Sequence, residues 1–311
     1  MRQRRGVRLR LGLVASGLGA LLSGCSSLEF LNQVSGRPHT DPITVSYGSH
    51  SRQRVDVYRV MESRLTSAVK GLSIVSPAAA APGQGRPMVI FFYGGSWNSG
   101  SRADYRFVAT ALNDLGYVVA IPDYRLTPEV LYPEFLHDSA AAVRALIRDA
   151  HQFGADPNRI VLAGHSAGAY NAAMIAMDQR WMQDDDRRHI RGLIGFAAPV
   201  NFLPIQIPEV QQTFRWPDTP KDSQPIEHVA PGNPPVLLIT ARGDRVVDPA
   251  RNSQSFADRL VQVGVPVQLE VIDGPLGLAN HANVVATISP TFQFFAPTLT
   301  TIRSFVDQVT R

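Results

Sequence analysis

Ile160-Val161-Leu162-Ala163-Gly164-His165-Ser166-Ala167-Gly168 is the stretch that decides how this chain reads. An apolar run ends in G-x-S-x-G, and an alanine-rich segment free of proline follows it. That order predicts a strand over 159–163, a reversal within a few residues, and a helix over 167–178. A serine on so sharp a turn is held in a strained backbone conformation with its hydroxyl projecting outward. Only small neighbours let the strand and helix pack, which is the use of Gly164 and Gly168. The pentapeptide alone is a weak signal; its strand and helix context makes Ser166 the candidate nucleophile.

Outward from this turn the pattern alternates. Strands are expected over 88–92, 117–121, 190–197, 236–240 and 267–272, with helices near 103–115, 138–150 and 249–263. Strands that are apolar throughout and separated by helices imply an α/β fold with a mostly parallel, doubly wound sheet covered on both faces. Residues 45–47 and 55–60 alternate as antiparallel strands do, and 76–87 reads as a loop without periodicity. A Pro-rich, irregular insertion over about 199–235 interrupts the alternation beside the strand C-termini and reads as a small cap or pocket wall. A composition of 44% hydrophobic and 18% charged residues over 311 positions suits an ordinary globular core.

An activated serine needs a base, an orienting acid and donors for an oxyanion. In this architecture the acid and then the histidine follow the nucleophile along the chain. Of eight histidines, His281 alone lies beyond the late strand and its acid, so it is the candidate base. Asp244 and Asp248 share the loop after 236–240. Asp248 precedes Pro249 at a helix start and has a sufficient role as an N-cap, which leaves Asp244 as the orienting acid. Asp273, near His281 in sequence, is read as a loop acid, and His165 as structural, its side chain turned away from the serine. In Tyr93-Gly94-Gly95-Ser96-Trp97 the glycine pair can bring backbone N–H groups to a substrate oxygen. Gly95, Ser96 and Ala167 are therefore the candidate oxyanion donors, with Gly94 shaping the turn. Trp97 suits the pocket wall and the core equally. Asp123 and Arg125 read as a charge pair bracing loops beneath the site. Residues 180–189 read as a solvated surface turn that supplies no converging metal ligands.

Together these residues resemble the α/β-hydrolase superfamily, more narrowly the esterases and lipases related to hormone-sensitive lipase, the feruloyl esterases and the arylformamidases. The resemblance covers about residues 45–305. It extends to Asp123-Tyr124-Arg125-Leu126 after a strand, Pro157-Asn158-Arg159-Ile160 before the elbow strand, and Pro234-Pro235-Val236-Leu237-Leu238 leading to Gly243-Asp244. Tyr93 departs from the histidine that the family carries at its place. The resemblance implies an α/β-hydrolase domain over 45–311 with the cap at about 199–235. It also implies cleavage of short-chain or aryl carboxylic esters through an acyl-enzyme on Ser166, His281 and Asp244, with a small-molecule ester as partner and no metal or organic cofactor. The same machinery serves formamide, amide or peptide cleavage. A catalytically idle binding module is the rival from another class; its mark would be a missing triad member, and none is missing.

The N-terminus carries a different signal. Arg2, Arg4, Arg5, Arg8 and Arg10 precede an apolar stretch over 11–22, too short for the roughly 20 residues that span a bilayer, so 1–24 reads as a signal peptide. Leu22-Ser23-Gly24-Cys25 resembles the lipobox of bacterial lipoproteins, which implies lipidation of Cys25 and attachment to a membrane through it. Cys25 is the only cysteine, so the fold has no intramolecular disulfide. Ser26, rather than Asp, follows it and favours the outer membrane at its periplasmic face, with 25–44 as a tether plus a short amphipathic segment. Loss of the leader with its five arginines takes the formal net charge from +4 to about −1, so the basic balance points to export and not to nucleic acid.

Overall fold

A computed structural model describes residues 24–61, 85–274, 279–292 and 296–311 of the chain. Residues 1–23 of the expected signal peptide and most of the 76–87 loop lie outside the described residues. The core is one eight-stranded sheet in the order β1-β2-β4-β3-β5-β6-β7-β8. Its strands are β1 (Ile43–Ser46), β2 (Arg54–Tyr58), β3 (Arg86–Phe92), β4 (Val118–Pro122), β5 (Ala155–His165), β6 (Ile190–Phe196), β7 (Val236–Ala241) and β8 (Val267–Ile272). The β1/β2 and β2/β4 pairs are antiparallel, and every other pair is parallel. All seven residues of β3 and all five of β4 are buried. Because successive side chains point to opposite faces, full burial means that both faces are covered, which is why β4 and, beyond its first residue Arg86, β3 read as unbroken apolar runs. At the edges β1 and β8 are largely uncovered, and their sequences mix polar with apolar residues.

The central strands end in step. Phe92 pairs with Gly164, His165 with Phe196, and Phe196 with Ile239, so the loops after β3, β5, β6 and β7 emerge along one edge of the sheet. In open α/β sheets that edge is where ligands bind.

Helices α1 (Gly24–Val34), α2 (Arg106–Asp114), α3 (Glu134–Asp149), α4 (Ala167–Met177), the single turn α5 (Asp184–Arg187), α6 (Pro208–Phe214), α7 (Ser255–Gln262) and α8 (Thr298–Val309) complete the fold. The segment read as tether and amphipathic stretch contains α1. That helix is docked, with Leu31 buried and Asn32 capping α2: its Nδ2 donates to Ala103 O and Asp104 O, and its Oδ1 accepts from the Phe107 N–H at 2.8 Å. Helix α3 starts four residues before the expected boundary, behind Pro133, with Glu134 in the favoured position for an acid in a first turn. The helix expected over 103–115 divides into a 3-10 turn at Arg102–Tyr105 and α2. Helix α8 was not singled out in the sequence, although Leu299, Ile302, Phe305, Val306 and Val309 form a buried stripe at helical spacing. It lies on β6, where a Cβ added to Gly192 would meet the Phe305 ring at 3.0 Å.

Candidate active site

The site begins with the turn between β5 and α4. Ser166 has φ 53° and ψ −124°, a conformation that a residue with a Cβ adopts only under strain. The neighbouring glycines permit it. A Cβ on Gly168 would stand 2.1 Å from the Phe92 carbonyl oxygen, and one on Gly164 would stand 2.5 Å from the Gly168 backbone. Helix α4 therefore crosses the ends of β3 and β5 at a separation only glycine allows. Its first N–H groups, Ala167's among them, have no partner inside the helix.

His281 lies after β8 and beside Ser166. The Ser166 hydroxyl donates to His281 Nε2 at 2.8 Å, and His281 Nδ1–H donates to Asp244 Oδ2 at 2.8 Å. These directions follow because an ionised carboxylate can only accept. The Asp244 side chain is fully buried, while that of His281 is 17% exposed. Burial by itself raises the Asp244 pKa. Hydrogen bonds from His281 and from the backbone N–H groups of Val247 and Val246 outweigh it and hold the carboxyl below its usual range. Asp248 is occupied elsewhere: its Oδ1 accepts from the Ala250 and Arg251 N–H groups at 2.8 and 3.1 Å, capping the wide helical turn Ala250–Gln254 that leads into α7, the role its place before Pro249 suggests. Asp273 pairs with Arg242 on the surface.

The side chain of His165 turns away from the serine and joins two loops. Nε2–H donates to the His281 carbonyl oxygen at 2.9 Å, so Nδ1 accepts from Tyr105 Oη–H at 2.9 Å. Tyr105 Oη in turn accepts from the Gly94 N–H at 3.3 Å. Burial, with His281 nearby, lowers the His165 pKa to about 3, so the ring is neutral and can act as donor and acceptor at once. The loop after β3 and the loop of His281 are thus tied through one buried imidazole. Nothing in the sequence marks Tyr105 as a partner, since the contact spans 60 residues.

The loop after β3 is unusual in its backbone. Gly95, Ser96 and Trp97 have φ of 132°, 49° and 58° in succession. Gly95 is the position where a side chain is impossible: a Cβ would meet Ser99 O at 2.4 Å. Tyr93, in the place of the family's histidine, is held by other means. Its ring stacks on Tyr124 at 4.8 Å, its carbonyl accepts from Tyr124 Oη–H, and its hydroxyl accepts from Arg52 Nη2 at 2.6 Å. Arg52 also donates to Tyr124 O and Gly100 O, tying the turn between β1 and β2 to this loop.

A cavity of about 360 Å³ opens beside the serine, lined by Ser96, Trp97, Ser166 and Ala167 on the sheet side and by Phe202, Ile205 and Val210 from the insertion. Gly95 sits one residue behind that wall. Trp97 serves both uses left open by the sequence: it lines the cavity, and it is buried, with Nε1–H donating to Asn171 Oδ1 at 2.9 Å. Its ring packs edge-on against Phe214 and Tyr170 at 4.9 and 5.2 Å, so the insertion is fastened to α4 and the loop after β3 by an aromatic cluster.

Two expectations fail. Asp123 and Arg125 do not pair. Asp123 accepts from the Arg102 N–H and guanidinium, and Arg125 forms a two-pronged pair with Asp138 of α3 at 2.8 Å. Tyr124 between them is buried and holds the chain so that its neighbours reach different elements. The 180–189 run is solvated only in part, at Arg180, Gln183, Asp184, Asp185 and Arg188. Trp181 and Met182 are buried, and Arg180 bridges buried Asp178 and Asp222 at 2.7 and 2.6 Å, because the chain folds back there onto the insertion. Among the described residues no group of three His, Cys, Asp or Glu side chains is placed to hold a metal ion.

Comparison with known proteins places this geometry. The BD-FAE family model matches residues 72–260, a span that includes Ser166 and Asp244 and stops before His281. Esterase LipC of Mycobacterium tuberculosis is 27% identical over 236 residues, 70% of this chain and 54% of LipC. Isoprenylcysteine alpha-carbonyl methylesterase ICME of Arabidopsis thaliana is 25% identical over 254 residues, 74% of this chain and 55% of its own. The chain spans about half the length of these curated relatives. Among solved structures, the Pyrobaculum calidifontis esterase superposes with a TM-score of 0.70 at 22% identity, covering 92% of this chain and 91% of that one, which shows a shared fold. With the family model matching well over half of its length, and an eight-stranded α/β-hydrolase sheet carrying the serine turn, the chain belongs to the BD-FAE family.

Proposed function

We propose that the protein is a carboxylesterase-type serine hydrolase acting on small carboxylic esters with short acyl or aryl groups. The observation that carries this reading is the unbroken path from Ser166 Oγ through His281 to Asp244, with both hydrogen bonds at 2.8 Å. His281 takes the serine proton as Oγ attacks the carbonyl carbon, and the imidazolium that forms is stabilised by Asp244. The N–H groups of Gly95, Ser96 and Ala167 receive the oxyanion; Ser96 and Ala167 share the cavity wall with Ser166. The tetrahedral intermediate collapses, His281 returns the proton to the leaving alcohol, and water then hydrolyses the acyl-enzyme by the same steps in reverse roles. The names of the relatives, an esterase and a methylesterase, support the ester bond as the target.

The test is hydrolysis of p-nitrophenyl acetate by the full chain in non-ionic detergent, beside Ser166→Ala. The wild type should exceed the variant by several orders of magnitude; equal rates would remove the assignment.

We further propose that Cys25 is lipidated and holds the enzyme at a membrane surface outside the cytoplasm, at the periplasmic face of the outer membrane. The basic run, the short apolar stretch and Leu22-Ser23-Gly24-Cys25 support it. Expressed in a bacterium, the wild type should fractionate with membranes and carry a lipid mass on its N-terminal peptide. Cys25→Ser should lose both, and an unmodified Cys25 in the wild type would defeat the idea.

A further inference from the structure

The cavity beside Ser166 contains charge that ester hydrolysis by the triad does not use. Its wall is divided between apolar and polar surface, and Arg245, Asp248 and Arg251 line it, two cations and one anion. The anion is turned to the backbone, capping the helix start through the Ala250 and Arg251 N–H groups. The Arg251 guanidinium donates to the Leu203 carbonyl of the insertion and so closes one side of the cavity. Arg245 differs from both. It is exposed, so it stands at the rim, and among the described residues its guanidinium has no hydrogen bond or ion pair.

The position of Arg245 is set by the triad itself. Asp244 Oδ1 accepts from the Val246 and Val247 N–H groups, both at 2.9 Å, while Oδ2 holds His281. The acid is therefore the centre of a tight turn whose next residue is Arg245, and the backbone at 245 cannot move without disturbing the base. An arginine with unused donors presents a planar fork that matches a carboxylate or phosphate. At the mouth of a concave site flanked by apolar side chains its field is focused inward.

We propose that this cavity selects esters carrying an anionic group within a few bonds of the scissile ester, received by Arg245 and supported by Arg251. Arg245 is then a specificity-determining residue that touches substrate without taking part in bond cleavage. The proposal rests on the hydrolase reading above, in which Ser166 attacks the ester.

Three esters separate the possibilities: phenyl butyrate, which is neutral; monophenyl adipate, with a carboxylate on the acyl side; and 4-carboxyphenyl butyrate, with one on the alcohol side. Release of phenol, or of 4-hydroxybenzoate from the third ester, is followed for the full chain in non-ionic detergent, for Arg245→Gln and for Arg242→Gln. The last removes an equal charge from the same loop, but that arginine is already paired with Asp273 at 2.6 Å. Comparing variants on the same ester cancels differences in intrinsic reactivity. Arg245→Gln should lower kcat/KM for at least one anionic ester by about tenfold, the size of one charge-assisted contact, and change the neutral ester less than about twofold. Which anionic ester suffers the loss assigns the charge to the acyl or the alcohol side. Arg242→Gln should leave all three within about twofold, and 0.5 M salt should shrink the anionic advantage of the wild type. If the neutral ester is turned over and Arg245→Gln leaves the anionic-to-neutral ratio unchanged, the anion preference is overturned. If the wild type hydrolyses p-nitrophenyl acetate but neither anionic ester, the anion preference is likewise overturned; if it hydrolyses none of the four esters, the hydrolase reading falls and this inference falls with it.

Discussion

Ser166 stands at the end of a strand hydrogen-bonded on both sides, whereas His281 stands in a turn that no strand continues. The serine's half of the site is fixed by main chain: β5 lies between β3 and β6, and Gly164 and Gly168 let α4 cross at contact distance. The histidine's half is fixed by side chains. Asp244 holds its Nδ1, Ser166 its Nε2, and His165 its carbonyl oxygen. A main-chain turn tolerates almost no substitution, because its backbone both presents the serine and supplies the Ala167 N–H. A side-chain lattice can lose one member and keep the fold while losing alignment. Damage to the first half should therefore appear as instability, and damage to the second as lost rate in a folded protein.

Asp244→Asn breaks the second half hardest. It leaves the shape of the site intact but removes the acceptor that fixes the His281 tautomer, and hydrolysis should fall by about 10⁴-fold with the thermal unfolding transition still cooperative. Gly168→Ala breaks the first half. With the added Cβ 2.1 Å from Phe92 O, neither strand nor helix can yield cheaply. A loss of about 3 kcal/mol or more is expected, read as a thermal midpoint lower by about 10 °C or as failure to accumulate. An alanine enzyme with unchanged midpoint would show that the elbow is looser than described.

His165 joins the halves, and its removal should cost less than either. His165→Phe leaves Tyr105 Oη and the His281 carbonyl without their partner, so kcat should fall by about tenfold through misplacement of the base. The same variant tests a pH effect. The His165 pKa is depressed in the folded state, so its contribution is present above pH 6.5 and is lost as pH falls from there toward 3, where the unfolded chain binds a proton that the folded one refuses. Asp244 acts in the same direction at the acid end, because its carboxyl is also held below its usual range. Denaturation series between pH 7 and 4 should show the wild type losing stability more steeply than His165→Phe, by up to about 1.4 kcal/mol per pH unit. Parallel slopes would deny His165 this role. Asp248→Asn closes the ranking: an amide oxygen can still cap the helix, and activity should stay within about twofold.

How much of this was legible follows the same division. The elbow could be read because main-chain geometry restricts residue type, and the restriction is written locally in Gly164, Ser166 and Gly168. The strands that flank it were legible for a related reason, since burial on both faces leaves only apolar residues in β4 and, beyond Arg86, in β3. Asp244 was separated from Asp248 by a local signal, the proline that makes Asp248 a cap. The ties that hold the site were not legible. Tyr105 with His165, Arg52 with Tyr93 and Arg102 with Asp123 each join residues far apart in sequence, and a side chain's type does not say which distant partner it meets. The supposed Asp123–Arg125 pair shows the error this invites: neighbours in sequence were matched because the distant partners, Arg102 and Asp138, could not be seen. Tyr93 teaches the converse. A departure from the family's residue was visible, but its compensation by Arg52 and Tyr124 was not.

The central claim, that Ser166 is a nucleophile activated by His281, is tested most directly by covalent capture. The full chain should be treated with a fluorophosphonate and its peptides mapped by mass spectrometry, alongside Ser166→Ala and His281→Ala. One phosphonyl group per chain on the peptide bearing Ser166, absent in Ser166→Ala and slowed by orders of magnitude in His281→Ala, is the expected result. A wild-type chain that takes up no label, or takes it up on another residue, would contradict the account.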